Sequence, residues 1–197
     1  MKAATSLLLL FVYIQTINAQ STWSPEQCLK LKNISASVVS PDGSKVLYAV
    51  REAIMTDDRS EYINNIWVCN ADGSNHLQLT KGDKNAANPG WSPDGKWISF
   101  TSSRDGKNNL YLLPVGGGEA EKITDAKTGI GLYKWSNNGL MIAYTMTDPA
   151  SDIEEKNKKA KNDWYFMDEE VKQNRLYVLW IHHPDSSGKR IQKLLTK

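Results

Sequence analysis

With 197 residues, 24 basic and 22 acidic side chains, the chain is nearly charge-balanced. No face-sized basic run is present, which argues against nucleic acid as a partner. No Cys or His pair has metal-ligand spacing, and His182-His183 puts adjacent side chains on opposite sides of a strand or in a turn, so neither a metal nor another cofactor is expected.

The chain begins with a short basic start, Met1-Lys2, an apolar stretch from Leu7 to Ile14, and a cleavable Ile17-Asn18-Ala19 before Gln20. These parts in this order read as a secretory signal peptide over residues 1–19. The apolar run is too short to span a bilayer, and no cysteine directly follows the cleavage point to take a lipid. The expected mature protein is exported, periplasmic or secreted. Cys28 and Cys69 leave one disulfide open in that compartment. A short helix follows within residues 20–31: Ser24 as N-cap, Pro25 at the first helical position and Gln27 closing a capping box.

From Lys32 onward the sequence repeats. Trp91-Ser92-Pro93-Asp94-Gly95 returns as Trp135-Ser136-Asn137-Asn138-Gly139, and an earlier copy stands at Val39-Ser40-Pro41-Asp42-Gly43. Trp91 to Trp135, Ile66 to Leu110 and Thr80 to Thr124 are each 44 residues apart, so three landmarks share one period. Proline presets φ in the turn, the acid bonds its own backbone and glycine takes the positive φ. After each turn comes an alternating strand: Lys45–Val50, Lys96–Thr101 and Leu140–Thr145. An aromatic strand follows, at Ile66–Val68, Leu110–Leu112 and Leu176–Val178, and then a short one ending in Thr80, Thr124 or Thr196.

Four short antiparallel strands per repeat of about 40–45 residues mark a β-propeller blade. The expected fold is therefore all-β, a partial β-propeller of three four-stranded blades over 32–80, 81–124 and 125–197. Tryptophans and tyrosines, seven and eight in number, suit the cores of such blades. Residues 52–65 and 150–174 lengthen the first and third blades; both are rich in charge and amide and should sit outside the sheets. Propellers close with about 4–8 blades, each burying its faces against two neighbours. Three cannot make a ring, so the chain is expected to be part of a longer protein, with assembly of partial propellers as the alternative.

The leading Ser24-Pro25-Glu26-Gln27-Cys28-Leu29-Lys30-Leu31-Lys32, followed by Val38-Val39-Ser40-Pro41-Asp42-Gly43, resembles the start of prolyl oligopeptidase family serine peptidases, in their acylaminoacyl-peptidase and dipeptidyl-peptidase-like branches. The tract from Pro149 to Val178 is similar to their propeller sequences as well. The resemblance implies a propeller that screens peptide substrates for an α/β-hydrolase domain. That domain is absent from these residues: no Gly-x-Ser-x-Gly elbow occurs, Ser74 follows Gly73 without the second glycine, and His76, His182 and His183 lack triad partners, so hydrolysis by this chain alone is not expected. The same resemblance offers one substrate-binding pair, Glu169 and Glu170, which would hold a peptide's free amine; against it stands the reading of a solvated charged insertion. The Ser-Pro-Asp-Gly turns are also shared with TolB-like propellers, leaving a second reading, a binding module for envelope proteins.

Overall fold

The structure, a computed structural model, describes residues 23–161, 172–184 and 190–196. The expected signal peptide lies outside those residues. Contacts divide the chain into two units, Met1–Lys30 and Leu31–Lys197. In the first, α1 (Pro25–Leu29) starts as its sequence dictates: Ser24 Oγ accepts from the Gln27 amide at 3.2 Å and Gln27 Oε1 accepts from the Ser24 amide at 3.0 Å, the reciprocal bonds of a capping box.

The second unit holds three antiparallel sheets of four strands each. The first comprises β1 (Asn33–Val39), β2 (Lys45–Met55), β3 (Ser60–Asn70) and β4 (Leu77–Gln78). The second runs β5 (Ala86–Trp91), β6 (Trp97–Ser102), β7 (Asn109–Pro114) and β8 (Glu121–Lys122). The third is β9 (Ile130–Trp135), β10 (Met141–Thr147), β11 (Asn174–Pro184) and β12 (Arg190–Leu194). Strands pair in sequence order within each sheet, the up-and-down arrangement of propeller blades. Cys28 and Cys69 are both free thiols.

The repeated turn closes β1–β2, β5–β6 and β9–β10 with one set of bonds. In the second sheet Ser92 Oγ donates to Asp94 Oδ1 at 2.5 Å and accepts from the Trp97 amide at 2.9 Å. Ser40 and Asp42 repeat this in the first sheet, and Ser136 with Asn138 in the third. An amide oxygen thus substitutes for a carboxylate, since the position only has to accept. Gly43, Gly95 and Gly139 hold φ of +74°, +70° and +70°, a region open to glycine at little cost. Hydrogen bonds from Ser40, then from Ser44, pull the Asp42 carboxyl down to about 2, and Ser92 is the main cause of the lowered value at Asp94.

The threonine that ends each repeat also has a fixed task. Thr80, Thr124 and Thr196 Oγ1 accept from the amides of Ile66, Leu110 and Leu176 at 2.8, 2.9 and 3.0 Å, where the short fourth strand leaves the third without a backbone partner.

Two apolar cores lie between the sheets. Leu47 and Ile66 of the first sheet pack on Trp91, Ile98, Phe100, Tyr111 and Leu113 of the second. Leu110 and Leu112, on the opposite face of β7, pack on Ile142, Tyr144, Leu179 and Ile181 of the third. Each sheet carries a directly opposed aromatic pair on β2–β3 and its equivalents: Tyr48–Trp67, Phe100–Tyr111 and Tyr144–Tyr177, stacked with centroids 6.4, 5.6 and 5.3 Å apart. Polar bonds cross the interfaces as well. Trp91 Nε1 donates to the Val38 carbonyl at 3.2 Å, and Trp135 Nε1 and Tyr133 Oη reach Ser99 Oγ at 2.8 and 2.9 Å. Gly90 leaves room for that contact, because a Cβ there would stand 3.0 Å from Ser99 Oγ and 3.1 Å from Tyr133 Oη.

One expectation needs correction. Residues 52–65 do not leave the first blade: β2 and β3 continue through them in unbroken register to Met55 opposite Ser60, forming a two-stranded ribbon. The charges that suggest a loop are tied down locally. Lys32 Nζ meets Glu52 Oε2 at 2.7 Å, Arg51 lies 4.2 Å over the Tyr62 ring, and Ile63 of β3 is buried. Within residues 150–174, those described between β10 and β11 include a helix, α2 (Asp152–Lys159), capped by Ser151 and Glu154, and Asn174 already belongs to β11.

Two outcomes follow for unfolding experiments. Thr124→Val keeps the shape but strands the buried Leu110 amide, and should cost about 1–3 kcal/mol in urea denaturation; the same change at exposed Thr196 should cost less than about 1 kcal/mol, because water can replace the hydroxyl. Asp94 has a lowered pKa when folded, so its share of stability is present above the ordinary carboxylate range and disappears as pH falls through the folded value. Asp94→Asn, already tolerated at Asn138, should leave the neutral-pH fold intact and weaken the acid dependence of the melting temperature; an unchanged acid limb would remove the turn as a source of it.

Candidate functional site

Within each sheet the Ser-Asp turns occupy one end and the β2–β3, β6–β7 and β10–β11 connections the other. The two longest connections leave the sheets at this second end: the β2–β3 ribbon, and the one that departs from β10 after Thr147 and returns to β11 at Asn174. Two of the chain's cavities open beside them. A cavity of about 440 Å³ is lined by Arg59, Tyr62, Asp83, Lys84, Ser103 and Arg104 among others, between the first two sheets. Another of about 460 Å³ lies between the second and third, against Asn108, Thr128, Thr145, Thr147 and Asn174.

The ribbon is fastened to the inter-sheet connection by Arg59. Its guanidinium donates to Glu61 beside it, to Asp83 Oδ2 at 3.0 Å and to the Asp83 carbonyl at 3.1 Å. Lys84 and then Arg59 hold the Asp83 carboxyl below its ordinary range, so the clamp is intact at neutral pH and loosens as pH falls through that lowered value. Further in, Asn85 Oδ1 accepts from the amide and Nδ2 of Asn64 at 2.8 and 3.0 Å.

Arg104, in the β6–β7 turn, is differently placed. Its guanidinium carbon lies 4.9 Å from the centre of the Tyr111 ring and 5.3 Å from that of Phe100, while Nε donates to Ser102 Oγ at 3.3 Å. Asp105 beside it accepts from Tyr111 Oη at 2.6 Å, and burial, reinforced by that bond, raises the Tyr111 pKa.

At the third sheet Asp148 and Arg175 pair across the base of the long connection, Nε to Oδ1 at 3.0 Å, and Lys172 Nζ meets Glu154 Oε1 at 3.0 Å. Glu169 and Glu170, the residues expected to bind substrate, lie outside the described residues. Ser74 is a turn hydroxyl that donates to Asp72 at 2.7 Å, and His76 Nδ1 shares a hydrogen bond with Tyr48 Oη at 2.8 Å. Neither is arranged for nucleophilic chemistry. Arg59 and Arg104 had no distinguishing signal in the sequence, whereas Ser151-Asp152-Ile153-Glu154 is a readable capping box that marks α2.

A family model described as the TolB beta propeller domain matches residues 11–174. Two relatives are peptidases by name: an uncharacterized peptidase YuxL of Bacillus subtilis, 31% identical over 127 residues, and dipeptidyl-peptidase 5 of Porphyromonas endodontalis, 29% identical over 131. The matches take in 64% and 66% of this chain but only 19% of each relative, so the chain spans about a fifth of their length. A Tol-Pal system protein TolB of Desulfosudis oleivorans is 32% identical over 95 residues, 48% of this chain and 20% of that protein. Among solved structures, the acylaminoacyl peptidase of Pyrococcus horikoshii superposes with a TM-score of 0.62 at 18% identity, over 87% of this chain and 26% of that one, a likeness of fold.

Removing the clamp should free the ribbon without unfolding the sheets. Arg59→Gln is expected to speed amide hydrogen exchange from Met55 to Ser60 by at least about tenfold, leaving Phe100 and Tyr144 protected. Equal protection of the ribbon in both proteins would show that its own ladder suffices.

Proposed function

This chain belongs to the TolB beta propeller domain family, and on that premise we propose that it is the propeller portion of an exported prolyl oligopeptidase-like serine peptidase. Its blades would gate peptide entry to an α/β-hydrolase domain carried elsewhere in the longer protein. The observation that carries this reading is the position of the two enlarged connections. Both rise from one end of the blades, beside the two inter-sheet cavities, where they can restrict what approaches that face. The peptidase names of the two longer relatives support it. Residues 1–19 would supply the export signal.

In this reading the propeller contributes selection and positioning, and the serine chemistry belongs to the hydrolase domain. Glu169 and Glu170 would take the free amine of the substrate through charge-assisted hydrogen bonds. The second reading, a TolB-like module that binds envelope proteins, is favoured by the family model itself and by the TolB relative.

The test uses the protein expressed from the complete reading frame that contains these residues. It should react with a fluorophosphonate serine probe and release products from peptide substrates, whereas residues 1–197 alone should do neither. A longer protein that is inert to the probe and co-purifies with an envelope partner would favour the binding module instead. In an active protein, Glu169→Gln should raise KM for substrates with a free amine by about tenfold and leave kcat nearly unchanged; an unchanged KM would remove the glutamate pair from the site.

A further inference from the structure

We propose that the cavity between the first and second sheets is a subsite for the carboxylate of a peptide, with the Arg104 guanidinium as its anchor. The argument begins with the charges that line the cavity. Arg59, Glu61, Asp83 and Lys84 satisfy one another, since Arg59 bonds both acids and Lys84 lies 3.7 Å from Asp83. Arg104 is the lining cation that has no acid within ion-pair distance among the described residues. The nearest acid in sequence, Asp105, is engaged by the Tyr111 hydroxyl.

Arg104 is also held ready. The stacked Phe100–Tyr111 pair forms a shelf under the guanidinium, and the Nε bond to Ser102 restrains its rotation, while neither Nη group makes a hydrogen bond among the described residues. A planar guanidinium on an aromatic face retains its fork of donors, which matches a carboxylate bidentately. The cavity, about 440 Å³, is within the range that takes several peptide atoms. Tyr62 and Asn85 line its wall and offer an apolar ring and an amide beside the charge. Such a subsite selects peptides by an end or side chain that the glutamate pair does not read. It rests on the peptide-handling reading above, and adds to it a preference for substrates that bring a carboxylate to this face.

The experiment measures fluorescence anisotropy of the full chain with three labelled peptides of one sequence: a free C-terminal acid, the C-terminal amide, and the amide with one internal glutamate. The acid is expected to bind roughly five- to tenfold more tightly than the amide, less than a buried charge-assisted bond provides because solvent screens an exposed arginine. Arg104→Gln should reduce the acid to the level of the amide, and Arg104→Lys should recover only part of the difference. Tight binding of the internal glutamate assigns the carboxylate to a side chain; its failure assigns it to the terminus, and either supports the subsite. As a check independent of variant folding, the Arg104 Nε–H resonance of the unaltered protein should shift with the acid and not with the amide. Equal binding of acid and amide, absence of binding by all three, or an Arg104→Gln protein indistinguishable from the parent would overturn the proposal. None of those results touches the peptidase reading, which stands or falls on the serine probe.

Discussion

Sheet-on-sheet packing governs this chain, because a four-stranded sheet that must bury both faces cannot use the simple alternation of apolar and polar positions. In the middle sheet β7 shows the consequence: Leu110, Tyr111, Leu112 and Leu113 are all buried, odd and even positions serving different neighbours. The aromatic pair recurs on one face of each sheet for the same reason. Phe100–Tyr111 and Tyr144–Tyr177 are covered by the sheet before them, whereas Tyr48–Trp67 occupies the corresponding face of the first sheet and is half-buried. Directional bonds from Trp91, Trp135 and Tyr133 then set the approach of one sheet to the next, and Gly90 permits it.

The two ends of the sheets are under different constraints. The Ser-Asp turns have no freedom: each has to reverse the chain in the same few residues, satisfy the same amides and place a glycine at positive φ. The opposite end carries no such requirement, so length and charge can accumulate there. A ribbon clamped by Arg59, a capped helix and an arginine resting on aromatic rings all occur at this end. Recognition of a partner molecule is most easily built there because changing those residues leaves both cores intact.

Legibility in the sequence followed the same division. The turns, the strands after them and the terminal threonines could be read because each is local or recurs at one interval, and the Asn138 exchange did not hide the turn, since hydrogen-bond acceptance was the property to keep. The ribbon was misread because its charges look like those of a loop; the β2–β3 ladder reveals the strands, and the pairing of Glu52 with Lys32 and the placement of Arg51 on Tyr62 show where those charges go. The helix at Asp152 went unread within a run of charge, although its capping box was a signal that could have marked it. Arg104 could not be found at all, since one arginine in a turn resembles any other until the rings beneath it are placed.

The sequence by itself determined the class of fold, the number of repeats and the chemistry of each turn, because these depend on residues within one period of each other and are repeated often enough to exclude chance. Tertiary structure decided which face of each strand meets which neighbour, which charges neutralise one another and where a cation is left over. Those outcomes arise between residues dozens of positions apart, Arg59 with Asp83 or Ser99 with Trp135, whose distance in the chain carries no trace of their contact.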